Sequence, residues 1–272
     1  MPIETTWCQA NIAFPDAERA EATALTHLAP LLHAAEAAGA VSGWFFIRKL
    51  PCWRVRFLPA PGGADHFVRG LDRLAGAGHI SGWTEIYYEP EEHAFGGAEA
   101  MECAHRLFHL DSRHLVDYLR SDRPTHRREV SLLLCSLLMR KAGLDWYEQG
   151  DVWVRVARHR ALTAEGPHER LHAAVERLIS VTGEDLTAAG GPMEHIAPWA
   201  ASYSDAGHAL RHLTDEGLLH RGLRDVVAHH VLFAWNRFGL PYEVQAALAD
   251  AAKTVVFGPD PTKQRNADHV TS

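Results

Sequence analysis

The chain has 272 residues, with 27 Lys and Arg against 34 Asp and Glu and a formal net charge of −7. That balance argues against a general nucleic-acid binder, which needs a basic surface to displace counterions, although it leaves room for a local basic cleft. No run of 18 apolar residues occurs, and Met1-Pro2-Ile3-Glu4 lacks a basic stretch leading into an apolar one. Neither a spanning helix nor a signal peptide is therefore expected, and the protein reads as cytoplasmic, without a membrane partner.

Thr6–Phe14 is predicted to be a strand. Pro15-Asp16 then opens an Ala-rich helix over Ala17–Ala38, closed by Gly39. Val41–Lys49 and Cys52–Leu58 form a pair of strands joined through Pro51. After the Pro61-Gly62-Gly63 loop, Asp65–Ala77 is a helix stopped by Gly78, and Ile80–Glu89 is a fourth strand followed by Pro90. The order β-α-β-β-α-β is that of the ferredoxin-like split unit, one antiparallel sheet with both helices on a single face.

From Gly97 onward the pattern is helical. Candidate helices are Ala98–Phe108, Ser112–Leu119, Arg127–Ala142, Asp145–Arg160, Pro167–Thr182, Ala197–Asp215, Gly217–Phe238 and Pro241–Phe257. Apolar residues recur at three and four, as in Val130, Leu133, Leu134, Leu137 and Leu138. The predicted class is α+β, one compact domain over residues 1–258, with a sheet-containing half (1–97) and a helical half (98–258). Residues 259–272 are polar and expected to be disordered.

The four cysteines, Cys8, Cys52, Cys103 and Cys135, are widely spaced and form no Cys-x-x-Cys, so buried thiols are expected rather than zinc or disulfides. No phosphate loop, nucleotide fingerprint or serine elbow occurs, so no cofactor is expected. His105 and His109 are four apart on a predicted helix, but a third metal ligand has no obvious candidate and no metal is expected.

Arg48, Arg54 and Arg56 fall within nine positions of the paired strands. Arg54 and Arg56 are two apart and so share a strand face. Paired guanidinium forks suit a carboxylate or phosphate, while a solvated sheet face or internal ion pairs with Glu85 and Glu89 are the plainer alternatives. Tyr87-Tyr88-Glu89-Pro90-Glu91-Glu92-His93, with Gly96-Gly97 behind it, joins tyrosines, carboxylates and a histidine after the last strand. Asp111-Ser112-Arg113 reads as a cap between two helices. His229-His230 and Asn236-Arg237 lie on an otherwise apolar helix, where they need polar partners or a site to face.

Trp44-Phe45-Phe46-Ile47-Arg48, Trp53-Arg54-Val55-Arg56, Tyr88-Glu89-Pro90-Glu91, Phe95-Gly96-Gly97, Leu107-Phe108, Asp111-Ser112 and Asn236-Arg237 occur in the order of a known pattern. Over nearly its whole length the chain resembles the thiopeptide-type bacteriocin biosynthesis family. That family includes the C-terminal elimination domain of lanthipeptide dehydratases and the pyridine synthases of thiopeptide pathways. The resemblance implies a lyase that removes glutamate from glutamylated Ser or Thr of a precursor peptide, leaving dehydroalanine or dehydrobutyrine. Its expected partners are the precursor peptide and a glutamylating dehydratase subunit, with a homodimer left open. His230, Arg54 and Arg56 are then the catalytic candidates, and Arg48, Tyr88, Glu89, Asn236 and Arg237 the substrate-binding ones. The match departs from elimination members at Ala94-Phe95, where they carry Arg-Tyr, and at Leu232 and Ala234, where they carry a histidine before Asn-Arg. Those departures favour two alternatives, a formal [4+2] cycloaddition of two dehydroalanines and a non-catalytic peptide-binding subunit.

Overall fold

The computed structural model describes residues 6–121, 126–161, 169–181 and 186–258. The expected tail at 259–272 lies outside them. The fold is α+β: a four-stranded antiparallel sheet in the N-terminal part, then helices. The chain groups into two compact units, Met1–Pro90 with His105–Thr125, and Glu91–Ala104 with His126–Ser272. The division between these units falls at Pro90 and again within the helix that contains Ala104 and His105.

The first unit contains β1 (Cys8–Ala13), β2 (Val41–Lys49), β3 (Cys52–Pro59) and β4 (Gly82–Ile86), in the order β2-β3-β1-β4 with every neighbouring pair antiparallel. The first helical stretch is not uniform. Helix α1 (Ala20–Thr23) passes into a π-helical segment, Ala24–Leu28, and then into α2 (Ala29–Ala37). Pro30 accounts for the widened turn, because it lacks an N–H and its ring crowds the carbonyl four residues back. Helix α3 (Ala64–Gly76) precedes β4, which is shorter than the predicted strand, ending before the exposed Tyr87 and the Pro90 that follows.

Register divides the sheet residues between two faces. Trp44, Phe46 and Arg48 of β2 stand opposite Phe57, Val55 and Trp53 of β3, and Ala10 and Ile12 of β1 continue the row. Apart from Arg48, these side chains are buried; they meet α2 and α3, with Phe57 and Phe67 ring centroids 4.6 Å apart. Burial of each large apolar side chain contributes roughly 1.5–3 kcal/mol.

Helix α5 (Ala98–Arg120) is continuous where the sequence suggested two helices capped at Asp111-Ser112. Both residues are fully buried. Ser112 serves not as a cap but as an acceptor for the Phe46 N–H at 3.4 Å, and His109 Nδ1 lies 3.1 Å from the Trp44 amide nitrogen. These side chains engage the outer rim of β2, the terminal strand of the sheet.

The second unit holds a short helix absent from the prediction, α4 (Glu92–Phe95), then α6 (Arg127–Lys141), α7 (Trp146–His159), α8 (Glu169–Ser180), α9 (Ala197–Asp215), α10 (Leu223–Phe238) and α11 (Tyr242–Phe257). Asp145 caps α7 through a reciprocal pair with Glu148. Helix α10 starts at Leu223, not Gly217, because the chain is extended at Gly222. Gly207 sets the approach of α9 to α6, since a Cβ there would lie 2.7 Å from the Leu138 carbonyl oxygen. The four cysteines are free thiols, and no described helix is long and apolar enough to cross a membrane.

Candidate functional site

The second face of the sheet carries Phe45 and Ile47 of β2, Arg54 and Arg56 of β3, and Gln9 and Asn11 of β1, placed opposite one another by register. Arg54 and Arg56 therefore share a face, as their spacing predicts. Arg56 is buried, and its Nε donates to Gln9 Oε1 at 2.8 Å. Gln9 Nε2 donates in turn to Asn11 Oδ1 at 2.9 Å. Asn11 is level with Arg54, which is half-buried. The amide chain thus fixes the Arg56 guanidinium and runs to Asn11, the register neighbour of the more open Arg54.

Tyr88, on the chain leaving β4, and His105, on α5, close this cluster. The Tyr88 hydroxyl lies 2.8 Å from His105 Nε2, and both side chains are buried. The Arg56 guanidinium sits 4.8 Å from the Tyr88 ring centroid and 5.3 Å from that of Phe45. Trp7 stacks obliquely on His105 with centroids 4.7 Å apart. Burial, and then the nearby Arg56 charge, pushes the His105 pKa down to about 4. At neutral pH His105 is an uncharged imidazole facing a phenol.

Arg48 is placed elsewhere. Its register partner is Trp53, on the helix-covered face, and its guanidinium lies 4.6 Å from the Trp53 ring centroid and pairs with Glu21. The three arginines therefore do not assemble one clamp. Glu89 is exposed, just beyond Tyr88. The plainer alternative of Glu85 as an ion-pair partner also meets a geometric obstacle, since Glu85 stands opposite Ala10, on the face away from Arg54 and Arg56.

In the second unit, His230 is 2% exposed and its ring centroid is 4.9 Å from that of Phe95, edge to face. Burial, with the Arg237 and His229 charges added, pushes its pKa down to about 3. A fully enclosed imidazole with so acidic a conjugate acid is a weak base. Arg237 is itself fully buried. Asn236 Oδ1 accepts from Gln245 Nε2 at 3.3 Å and from Arg160 at 3.5 Å. His229 reaches Glu91 Oε2 at 3.3 Å through Nε2. At the segment where the resemblance leads one to expect Arg-Tyr, Phe95 is fully buried, and Arg221 donates to the Ala94 carbonyl at 3.4 Å.

Sequence reasoning overlooked Gln9 and Asn11 and did not join His105 to Tyr88. The signal for the first pair was present: two amides two apart on an antiparallel strand share a face, as Arg54 and Arg56 do. His105 and His109 have different partners. One turns to Tyr88, and the other lies between the Trp44 backbone and Glu36 Oε1, 3.5 Å from its Nε2. Among the described residues, no group of three His, Cys, Asp or Glu is arranged to hold a metal ion.

Residues 7–256 match the family described as the lantibiotic biosynthesis dehydratase C-terminal domain, and the chain belongs to that family. No curated protein matches the chain by sequence. Among solved structures, it is similar to the tRNA-dependent lantibiotic dehydratase MibB from Microbispora sp. 107891, with a TM-score of 0.65 and 19% identity. That likeness covers 100% of this chain but 29% of MibB, so the chain spans under a third of that protein's length. It is also similar to TsrL, with a TM-score of 0.60 and 18% identity over 94% of this chain and 99% of TsrL. At these identities the likenesses define a shared fold.

Proposed function

We propose that this protein matures a ribosomally made precursor peptide by eliminating glutamate from glutamylated Ser or Thr. The observation that carries the reading is the cluster of Arg54, Arg56, Gln9, Tyr88 and His105 on one sheet face, in a chain of the lantibiotic dehydratase C-terminal family. In the reaction a base takes the α-proton of the modified residue, its Cβ–O bond breaks, and the electron pair becomes the Cα=Cβ double bond. Glutamate leaves as its carboxylate. Arg54 and Arg56 hold that carboxylate through charge-assisted hydrogen bonds.

Of the two buried imidazoles, His105 is the better base. It touches Tyr88 and stands beside Arg56, whereas His230 is enclosed against Phe95. A substrate carboxylate on Arg56 would offset the charge that depresses His105 and raise its basicity when substrate is bound. Asn236 and Arg237 support the second unit from within, and Arg221 is the guanidinium available at the Ala94-Phe95 segment. The N-terminal unit is read as a ferredoxin-like frame, a reading supported by the β2-β3-β1-β4 order and its antiparallel pairs. The partners that this reading implies are a precursor peptide and a glutamylating dehydratase subunit.

A second reading, formal [4+2] cycloaddition of two dehydroalanines, is favoured by the buried Phe95 and by the aromatic side chains of Trp7, Phe45, Tyr88 and Phe108 around His105. That reaction depends mainly on positioning. Mass spectrometry with both substrates separates the readings. Elimination releases free glutamate and lowers peptide mass by that of glutamic acid. Cycloaddition leaves glutamylated peptide untouched and develops pyridine absorbance from a peptide with two dehydroalanines. Binding of precursor without any mass change in either substrate would overturn both and leave a recognition subunit.

A further inference from the structure

We propose that the cavity between the C-terminal end of α7 and the body of α11 is a binding site for a compact, doubly negative oxyanion, either a phosphoryl or a dicarboxylate group. The cavity has a volume of about 310 Å³ and lies wholly within the second unit. Its charged lining is Arg158, Arg160, Lys253 and Asp250, with Ala157 and Ala161 among the rest. At about 30 Å³ per water it has room for a ligand of roughly ten non-hydrogen atoms.

The charges do not cancel. Asp250 is occupied by Lys253, whose Nζ lies 2.7 Å from Oδ1. Arg158 and Arg160 therefore leave the lining positive, in a chain whose net charge is −7. Arg160 is the more telling of the two. Its Nε donates to Gln245 Oε1 at 2.7 Å, one terminal nitrogen to the His159 carbonyl at 2.9 Å, and the other to Asn236 Oδ1 at 3.5 Å. The Tyr242 ring centroid lies 5.6 Å from the guanidinium carbon. Each of these partners is neutral. A half-buried guanidinium normally meets a carboxylate, because taking a cation out of water is costly without an opposite charge. Burial also lowers the Arg160 pKa. A guanidinium has five N–H donors and these contacts use three, so two remain for a ligand.

The negative end of a helix dipole explains a cation in the last turn of α7. It does not explain why Arg160 is held by two amide side chains and a ring at the wall of a cavity. That arrangement is pre-organised, so little ordering cost falls on the ligand. Arg158 is exposed and adds a second fork from the rim. The site is independent of the Arg54–Arg56 cluster and of the reaction assigned to it.

Isothermal titration of the full chain with inorganic phosphate and with succinate, at constant ionic strength, tests the proposal. One saturable event with either anion is expected, weakening as chloride replaces it. Response to phosphate alone identifies a phosphoryl ligand, response to succinate alone a dicarboxylate, and response to both the shared oxyanion chemistry. Arg158→Glu should weaken binding by at least tenfold, and Arg160→Lys should weaken it while thermal unfolding shows the chain intact. Precursor-peptide processing should be unchanged in Arg158→Glu, so failure here is distinguishable from failure of the proposed reaction. Absence of saturable binding by both anions at millimolar concentration would overturn the assignment. So would wild-type affinity in both Arg158→Glu and Lys253→Gln.

Discussion

Acid should destabilise this protein, and the enclosed His230 imidazole carries a separable share of that loss. In the folded chain His230 stays neutral down to about pH 3, because burial and the Arg237 and His229 charges penalise its cation. In the unfolded chain a histidine titrates near 6.5. Above pH 6.5 neither state binds the proton, and the stability is whole. Below it, the unfolded chain takes a proton that the folded chain refuses, so stability falls by about 1.4 kcal/mol per pH unit until the folded pKa is reached. By about pH 4.5 the loss is about 3 kcal/mol, a large part of the ~5–15 kcal/mol that holds a typical domain. Replacing His230 with Leu keeps an apolar packing partner for Phe95 and removes the titrating group. Urea unfolding followed by tryptophan fluorescence, at about pH 7.5 and about pH 4.5, should show the variant losing about 3 kcal/mol less than the wild type between the two conditions. Equal pH slopes in wild type and variant, or an NMR titration midpoint for His230 near 6.5, would refute the reasoning.

Three further outcomes are expected. Arg54→Ala and Arg56→Ala should each lower glutamate release from a glutamylated precursor by more than tenfold, as loss of a charged hydrogen bond costs about 1.5–3 kcal/mol; full turnover in both would remove the carboxylate assignment. Arg48→Ala should instead lower the unfolding midpoint while sparing turnover, because its side chain is held by Glu21 and Trp53 on the other face; circular dichroism melting beside the same assay would separate the two effects. Gly207→Ala should destabilise by roughly 1–3 kcal/mol, since the new methyl meets backbone atoms of α6 that cannot rotate away; a denaturation midpoint equal to the wild type would count against the close helix approach.

The paired strands were legible because aromatic and β-branched residues crowd two short runs bounded by Gly and Pro, and because parity alone puts Arg54 and Arg56 on one face. Arg48 was harder. Parity relates residues within one strand, and its face depends on the register between β2 and β3, which brings it opposite Trp53. The supposed break at Asp111-Ser112 shows a different limit. Ser and Asp commonly cap helices because they compete for nearby backbone groups, but here the Ser112 hydroxyl serves an N–H 66 residues away in sequence. No local window contains that partner. The same holds for His105 and Tyr88, seventeen residues apart, and for His230, whose burial is decided by helices around it.

The treatment of β2 by α5 has a consequence for assembly. A sheet grows by hydrogen bonding along its rims, and this one presents them unequally. At β2, His109 and Ser112 occupy the backbone of Trp44 and Phe46, so an incoming strand finds its partners taken. At β4, Thr84, Glu85 and Ile86 are exposed. Any strand exchange is therefore directional: two copies joined β4 to β4 would make an eight-stranded sheet with a β2 at each rim. Among the described residues, such a sheet would end at both sides in a strand whose Trp44 and Phe46 amides are already engaged, which disfavours further edge-to-edge growth.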